Sequence, residues 1–235
     1  MRVAALYDIH GNLPALDAVL AGLDTDVIVV GGDAVVGAWP AETLERLRAL
    51  DREVRWVRGN TERELTEPQE DEEHADVLDW VRGKLTDEQL SFLNGLPQRA
   101  TVDVDGVGPV LFSHATPRRD DEVLTRISPD ERWAEALAGI DERVFVCGHT
   151  HMQFDREVQG VRVVNSGSVG MPYEEEPGAY WTHLGPTIEH RYTTYTAGDI
   201  AGSGYPGEWS SGTPEEILER TCQALGEGLE IGGRP

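Results

Sequence analysis

The stretch VFVCGHTHMQF places His149 and His151 on either side of a single threonine, directly after an apolar run. Imidazole binds metals and moves protons near neutral pH, which few side chains do. With only 7 histidines in 235 residues, the pair raises the question of which other donors meet it. Four more apolar runs end in residues of the same chemical kind. RVAALY leads into Asp8 and His10, DVIVV into Asp33, EVRWV into Asn60, and GPVLFS into His114. Five predicted strand ends therefore present two Asp carboxylates, one Asn amide and four His rings. These donors are too many for one tetrahedral zinc, which closes at about four ligands. They suit two metals sharing a bridging carboxylate, with positions left for water and substrate. Mixed N and O donors without thiolate favour Mn, Fe, Co, Ni or Zn over Mg or Ca alone. On an extended backbone alternate side chains share a face, so Asp8 with His10, and His149 with His151, are each expected to converge. Glycines before Asp33, Asn60 and His149 let the backbone turn sharply and come close.

Each residue alone has a plainer role. Asp8 can cap a helix, His10 can sit in a loop, and Asp33 and Asn60 can serve turns. His114 can be a core histidine, and His149 with His151 an exposed turn. Their placement together, each at a strand end, is what points to a metal site, because open α/β sheets bind ligands at the carboxyl ends of strands.

The elements that must position them read as follows. Residues 1–60 run strand, helix, strand, helix, strand, a βαβαβ unit with a parallel sheet. Leu13, Leu16, Val19, Leu20 and Leu23 recur at helical spacing in its first crossover. Residues 61–95 read as a helical, acidic, cap-like insertion interrupted by Pro68. RATVDVDG and GPVLFSH form a hairpin around Asp105-Gly106, and SPDERWAEALAGI is a helix leading to the His149 strand. The segments after it, to about residue 195, alternate like antiparallel strands. The predicted fold class is α/β, a four-layer α/β/β/α sandwich of two mixed sheets flanked by helices. The domain is expected over residues 1–195, with a Gly/Ser/Pro-rich linker at 196–212, a helix at 213–225 packing on the domain, and a frayed tail at 226–235.

Composition narrows the function class. Charged content is 27%, hydrophobic content 39% and formal net charge −23. Such a surface repels nucleic-acid phosphate and anionic membrane, so neither is an expected partner. No apolar run reaches the roughly 18 residues of a membrane span, and no signal-peptide pattern opens the chain. Cys147 lies in an apolar run and reads as a core thiol. A cytoplasmic setting is the expectation.

D-x-H, G-D, G-N, H and G-H-T-H, in this order, resemble the calcineurin-like metallophosphoesterase superfamily. DIHGNLPALDAVL, LTDEQLSFLNGLP and VVNSGSVGMP look like its small prokaryotic branch, which includes the YfcE-type phosphodiesterases. The resemblance implies that Asp8, His10 and His151 hold one divalent metal, most simply Mn, and that Asn60, His114 and His149 hold the other. Asp33 would bridge them. It further implies a phosphodiesterase acting on a small-molecule substrate, with a metal-bridging hydroxide attacking phosphorus in line. Two divalent cations against Asp8 and Asp33 make a local positive well in a negative surface. Asn12, Asn60 and Arg118 are candidates for holding the phosphate; helix capping competes for Asn12, and a surface role for Arg118 and its neighbour Arg119. Many relatives carry G-N-H-[DE], whose histidine serves as general acid, whereas here Thr61 stands in that position. Threonine is no proton donor near neutral pH, so leaving groups that need no protonation are favoured. The alternatives are a phosphatase or dinucleotide polyphosphate hydrolase, or a non-catalytic scaffold on the same fold. A homo-oligomer is among the expected assemblies.

Overall fold

The computed structural model describes residues 1–67, 75–196 and 201–207. The predicted helix at 213–225, the tail and most of the linker lie outside the described residues, as do Pro68 to His74.

The apolar runs become short strands with every residue buried: β1 (Val3–Leu6), β2 (Val27–Val30) and, later, β6 (Val144–Cys147). Alternate residues of a strand point to opposite faces, so a run with no polar residue needs cover on both sides. The chain supplies it. Ala4, Leu6, Ile28 and Val30 face outward, into a core shared with α1 (Leu13–Ala21) and α2 (Pro40–Arg48). Val3, Ala5, Tyr7, Val27 and Val29 face inward and meet Val110, Phe112, Val144, Val146 and Val164 of a second sheet. That sheet turns Leu111, Phe145, Cys147 and Val163 outward onto the buried Trp133 of α6 (Asp130–Ala136). Four layers result, in the order helices, sheet, sheet, helix.

β3 (Glu53–Trp56) completes the parallel part of the first sheet. β9 (Ala179–Leu184) and β10 (Ile188–Thr193) add antiparallel strands beside β1, giving the order β10-β9-β1-β2-β3. The second sheet, ordered β4-β5-β6-β8-β7, contains the expected hairpin of β4 (Arg99–Val104) and β5 (Gly108–Ser113). β7 (Gln153–Val158) and β8 (Val161–Ser166) pair antiparallel. β8 also lies parallel to β6, with Val146 opposite Val164. The late segments pair antiparallel as expected, and the parallel β6–β8 pairing makes this sheet mixed; β8 is an inner strand whose last four residues are all buried.

The described residues between 60 and 94 include α3 (Asn60–Thr66), α4 (Ala75–Arg82) and α5 (Asp87–Asn94). Leu65, Leu78, Val81 and Leu93 enter the same core as the outer face of the first sheet. Among the described residues no helix is long and apolar enough to cross a membrane. Cys147 is a buried free thiol.

Candidate metal centre

The parallel strands of both sheets end on one edge of the sandwich. The loops after β1, β2, β3, β5 and β6 carry Asp8 and His10, Asp33, Asn60, His114, and His149 and His151, respectively. The side chains gather in two groups. Ligand atoms of Asp8, His10 and His151 lie within 4.8 Å of one another, and so do those of Asp33, His114 and His149. Asn60 joins the second group, its Oδ1 lying 3.1 Å from His114 Nε2.

The convergence does not arise from an extended backbone. Asp8, His10, Asp33, His149 and His151 all have positive φ, between 47° and 66°. This left-handed region is sterically costly for residues with a Cβ, by roughly 1–3 kcal/mol each. Gln159, in a hairpin turn, is the one other non-glycine residue with positive φ among the described residues. The chain concentrates its backbone strain at the site, where the curled strand ends turn Asp8 and His10 to one group but part His149 from His151. His149 goes to the second group and His151 to the first, so the expected convergence of that pair is corrected.

Three rings have one fixed orientation. His10 Nδ1 lies 3.1 Å from the Val36 carbonyl, His114 Nδ1 2.9 Å from that of Gly31, and His151 Nδ1 2.6 Å from that of Met171. A carbonyl accepts only, so each Nδ1 carries hydrogen, and the Nε2 of the neutral ring offers a lone pair inward. The Nε2 atoms of His10 and His151 stand 3.1 Å apart, an arrangement that calls for a proton or cation near both. Tyr173 stacks on His151, with ring centroids 4.7 Å apart.

The carboxylates complete the test. Asp8 is fully buried, and its Oδ1 has no hydrogen-bond partner. That atom lies 3.4 Å from His151 Nε2, 3.9 Å from His114 Nε2 and 4.0 Å from His10 Nε2. Asp8 Oδ2 accepts the His149 backbone N–H at 2.8 Å. Asp33 faces both groups, with Oδ1 3.4 Å from His114 Nε2 and Oδ2 3.8 Å from His10 Nε2. Burial opposes charge throughout, yet His114 holds Asp33 well below the usual carboxylate range. In return, against its own burial, His114 is pushed up to about 10 by Asp33 and Asp8. Burial and the neighbouring His114 push His149 down to about 4. An orphaned buried carboxylate oxygen ringed by inward Nε2 atoms is a donor set that fits divalent cations.

The remaining candidates are placed differently. Asn12 caps α1, accepting the Ala15 N–H at 3.2 Å, and donates to the Gly170 carbonyl and the Tyr195 hydroxyl, both at 2.9 Å. Arg118 makes a surface ion pair with Glu122, and Arg119 pairs with Asp121 at 2.9 Å. Thr61 is buried and donates its N–H and hydroxyl to Asp33 Oδ1, each at 3.0 Å. Sequence reasoning missed Glu62, whose carboxylate is wholly buried behind Asp33; its place three residues after Gly59, at a helix start, was the available signal. It also gave Ser168 no part, although its hydroxyl donates to the Asp8 carbonyl at 2.7 Å.

Comparisons with known proteins agree with this geometry. A family model described as the calcineurin-like phosphoesterase superfamily domain matches residues 1–184. A protein of Methanocaldococcus jannaschii, itself described as uncharacterized, is 27% identical over 197 residues, covering 80% of this chain and 77% of its own. The crystal structure of a metallophosphoesterase from Sphaerobacter thermophilus superposes with a TM-score of 0.70 at 25% identity, over 94% of this chain and 98% of that one. A hypothetical protein from Pyrococcus horikoshii OT3 shares the fold, with a TM-score of 0.73 at 19% identity over 100% of this chain and 99% of its own. The chain belongs to the calcineurin-like phosphoesterase superfamily and is a metal-dependent phosphoester hydrolase.

Proposed function

We propose that the protein is a phosphodiesterase for small-molecule substrates, working with two divalent cations, most simply Mn. Asp8, His10 and His151 would hold one cation, Asn60, His114 and His149 the other, and Asp33 would bridge. The observation that carries this reading is Asp8 Oδ1, buried and unpartnered between the Nε2 atoms of three histidines. When bound, the cations supply an activated water and positive charge for the phosphoryl oxygens.

The chain's own residues do the rest. The carbonyls of Val36, Gly31 and Met171 fix three imidazoles with Nε2 inward. Glu64 accepts from Asn60 Nδ2 at 3.1 Å, which leaves the Asn60 amide oxygen facing His114. The hydroxyl of Thr61 is spent on Asp33, so that position offers no proton to a leaving group. Leaving groups stable as anions are therefore the expected substrates, aryl diesters first among model compounds.

A metal-by-substrate panel tests this. Bis-aryl phosphate should turn over with Mn, lose its turnover with chelator, and exceed mono-aryl phosphate by at least about tenfold, roughly 1.4 kcal/mol of barrier. Strong monoester turnover without diester activity would overturn the assignment.

His114 offers a second check, independent of turnover. Raised to about 10, it carries a proton in the metal-free chain at pH 7. A ligating imidazole must give up its Nε2 proton, so metal loading at pH 7 is expected to release about one proton. Calorimetric titration of Mn into the metal-free protein, in buffers of different ionisation enthalpy, counts it. Binding with no proton release would remove His114 from the ligand set.

A further inference from the structure

The first turn of α3 lies behind the metal groups and carries a wholly buried carboxylate that the proposed chemistry does not use. Glu62 Oε2 accepts the backbone N–H of Asp33 at 2.9 Å and that of Gly59 at 2.8 Å, and Oε1 accepts that of Ala34 at 2.8 Å. These donors come from two different strand ends, the loop after β2 and the loop after β3. Those loops carry Asp33 and Asn60. The adjacent Thr61 reaches the same aspartate from the other side, its N–H and hydroxyl both on Oδ1 at 3.0 Å.

We propose that Thr61 and Glu62 form a clamp in which Glu62 positions the two metal-bearing loops and Thr61 aims the Asp33 carboxylate. Both are positioning residues, and the proposal rests on the reading of Asp33 as a metal ligand. Three physical points carry it. Asp33 sits at φ 52°, a conformation that persists only where its surroundings over-determine it. Glu62 provides that determination, taking up the N–H of Asp33 and of the residue after it. A buried carboxylate is expensive unless fully hydrogen-bonded, and this one has three backbone donors, two on one oxygen and one on the other. A glutamine in its place would offer one acceptor oxygen and turn an NH2 group toward a backbone N–H. Thr61, finally, places two donors on the oxygen nearer His114, while Oδ2 looks toward His10. Rotation of the carboxylate about its last bond would break both donations, so the orientation that lets Asp33 face both groups is held from behind.

The test uses Thr61→Val, which keeps shape and backbone N–H but removes the hydroxyl, with Thr61→Ser as its conservative partner, and Glu62→Gln with Glu62→Asp. Calorimetric Mn affinity is the first readout, thermal unfolding of the metal-free protein the second, and the split between kcat and KM on bis-aryl phosphate the third. Removing a residue that orients a ligand weakens metal binding by about 10–100-fold. Thr61→Val should therefore bind Mn about tenfold more weakly, Thr61→Ser should recover most of that loss, and kcat should fall more than KM rises. Glu62→Gln should lose more affinity than Thr61→Val, and Glu62→Asp less than Glu62→Gln. Wild-type affinity in both Thr61→Val and Glu62→Gln would overturn the clamp and leave the metal assignment standing. An equal loss in Thr61→Ser and Thr61→Val would remove the hydroxyl's part. Should Glu62→Gln fail to fold, the Thr61 pair decides alone. A wild-type protein that binds no Mn would instead sink the parent reading.

Discussion

Asp33→Asn is expected to lower aryl phosphodiester turnover about a thousandfold, a loss of roughly 4 kcal/mol of transition-state stabilisation. The substitution conserves volume, so the cost is electrostatic. Asp33 is the carboxylate whose two oxygens face the two donor groups separately, Oδ1 toward His114 and Oδ2 toward His10. An amide keeps one acceptor and converts the other into a donor. With its NH2 on the Oδ1 side it would oppose the two donations from Thr61. With its NH2 on the other side it would point at His10. Either orientation removes one of two negative charges from a cluster of four imidazoles and leaves a cation pair under-neutralised. A second measurement reads the same change without substrate. Asp33 is the largest influence holding His114 up near 10, against its burial. In the metal-free Asp33→Asn protein, NMR titration should find His114 losing its proton at a distinctly lower pH. Full turnover with full metal content in this variant would remove Asp33 from the bridging position.

How much of this was legible in the chain depends on which physical signal each feature leaves. Runs such as VAAL, VIVV and VFVC can be covered only on both faces, and the layered fold follows from them once the helical spacing of Leu13, Leu16, Val19 and Leu20 is seen between two such runs. The seven side chains that meet at the strand ends were visible for a chemical reason, since Asp, Asn and His seldom end successive apolar runs by chance. The means of their meeting was not visible. An extended D-x-H or H-x-H was the natural expectation, and the left-handed backbone at five of these residues is imposed by tertiary contacts, such as the His149 N–H on Asp8 Oδ2. The orientation of His10, His114 and His151 rests on main-chain carbonyls, which every residue possesses and no sequence pattern marks. Asn12 illustrates the limit from the other side. Its place after Gly11 suited either a cap or a phosphate ligand, and its second partner, the Tyr195 hydroxyl, is 183 residues away.

Gly59→Ala is expected to lower stability and metal affinity together, and the reason is space. Gly59 has φ −91° and ψ 179°, values any residue adopts, so backbone strain plays no part. A Cβ there would stand 2.6 Å from the Asp33 backbone nitrogen, collide with Asp33 Oδ1 and meet Glu62 Oε2 at 3.0 Å. None of the three can retreat freely. The nitrogen belongs to a strained loop pinned by Glu62, Oδ1 is held by Thr61, and Glu62 is held by three backbone donors. The loops after β2 and β3 must therefore part, and overpacking of this kind costs about 1–3 kcal/mol. For a domain of this size that corresponds to a melting temperature lower by roughly 2–12 °C in the metal-free protein. Because the loops that part carry Asp33 and Asn60, Mn affinity should fall together with stability, by about 10–100-fold. Gly22→Ala supplies the contrast: a Cβ at Gly22 meets nothing within 4 Å, and its φ of −103° is ordinary, so its stability and Mn affinity should match the wild type. Calorimetry and thermal unfolding on the two variants decide the matter. A Gly59→Ala protein as stable as Gly22→Ala, with undiminished Mn binding, would mean that the two strand ends are not held in the close contact on which the position of Asp33 depends.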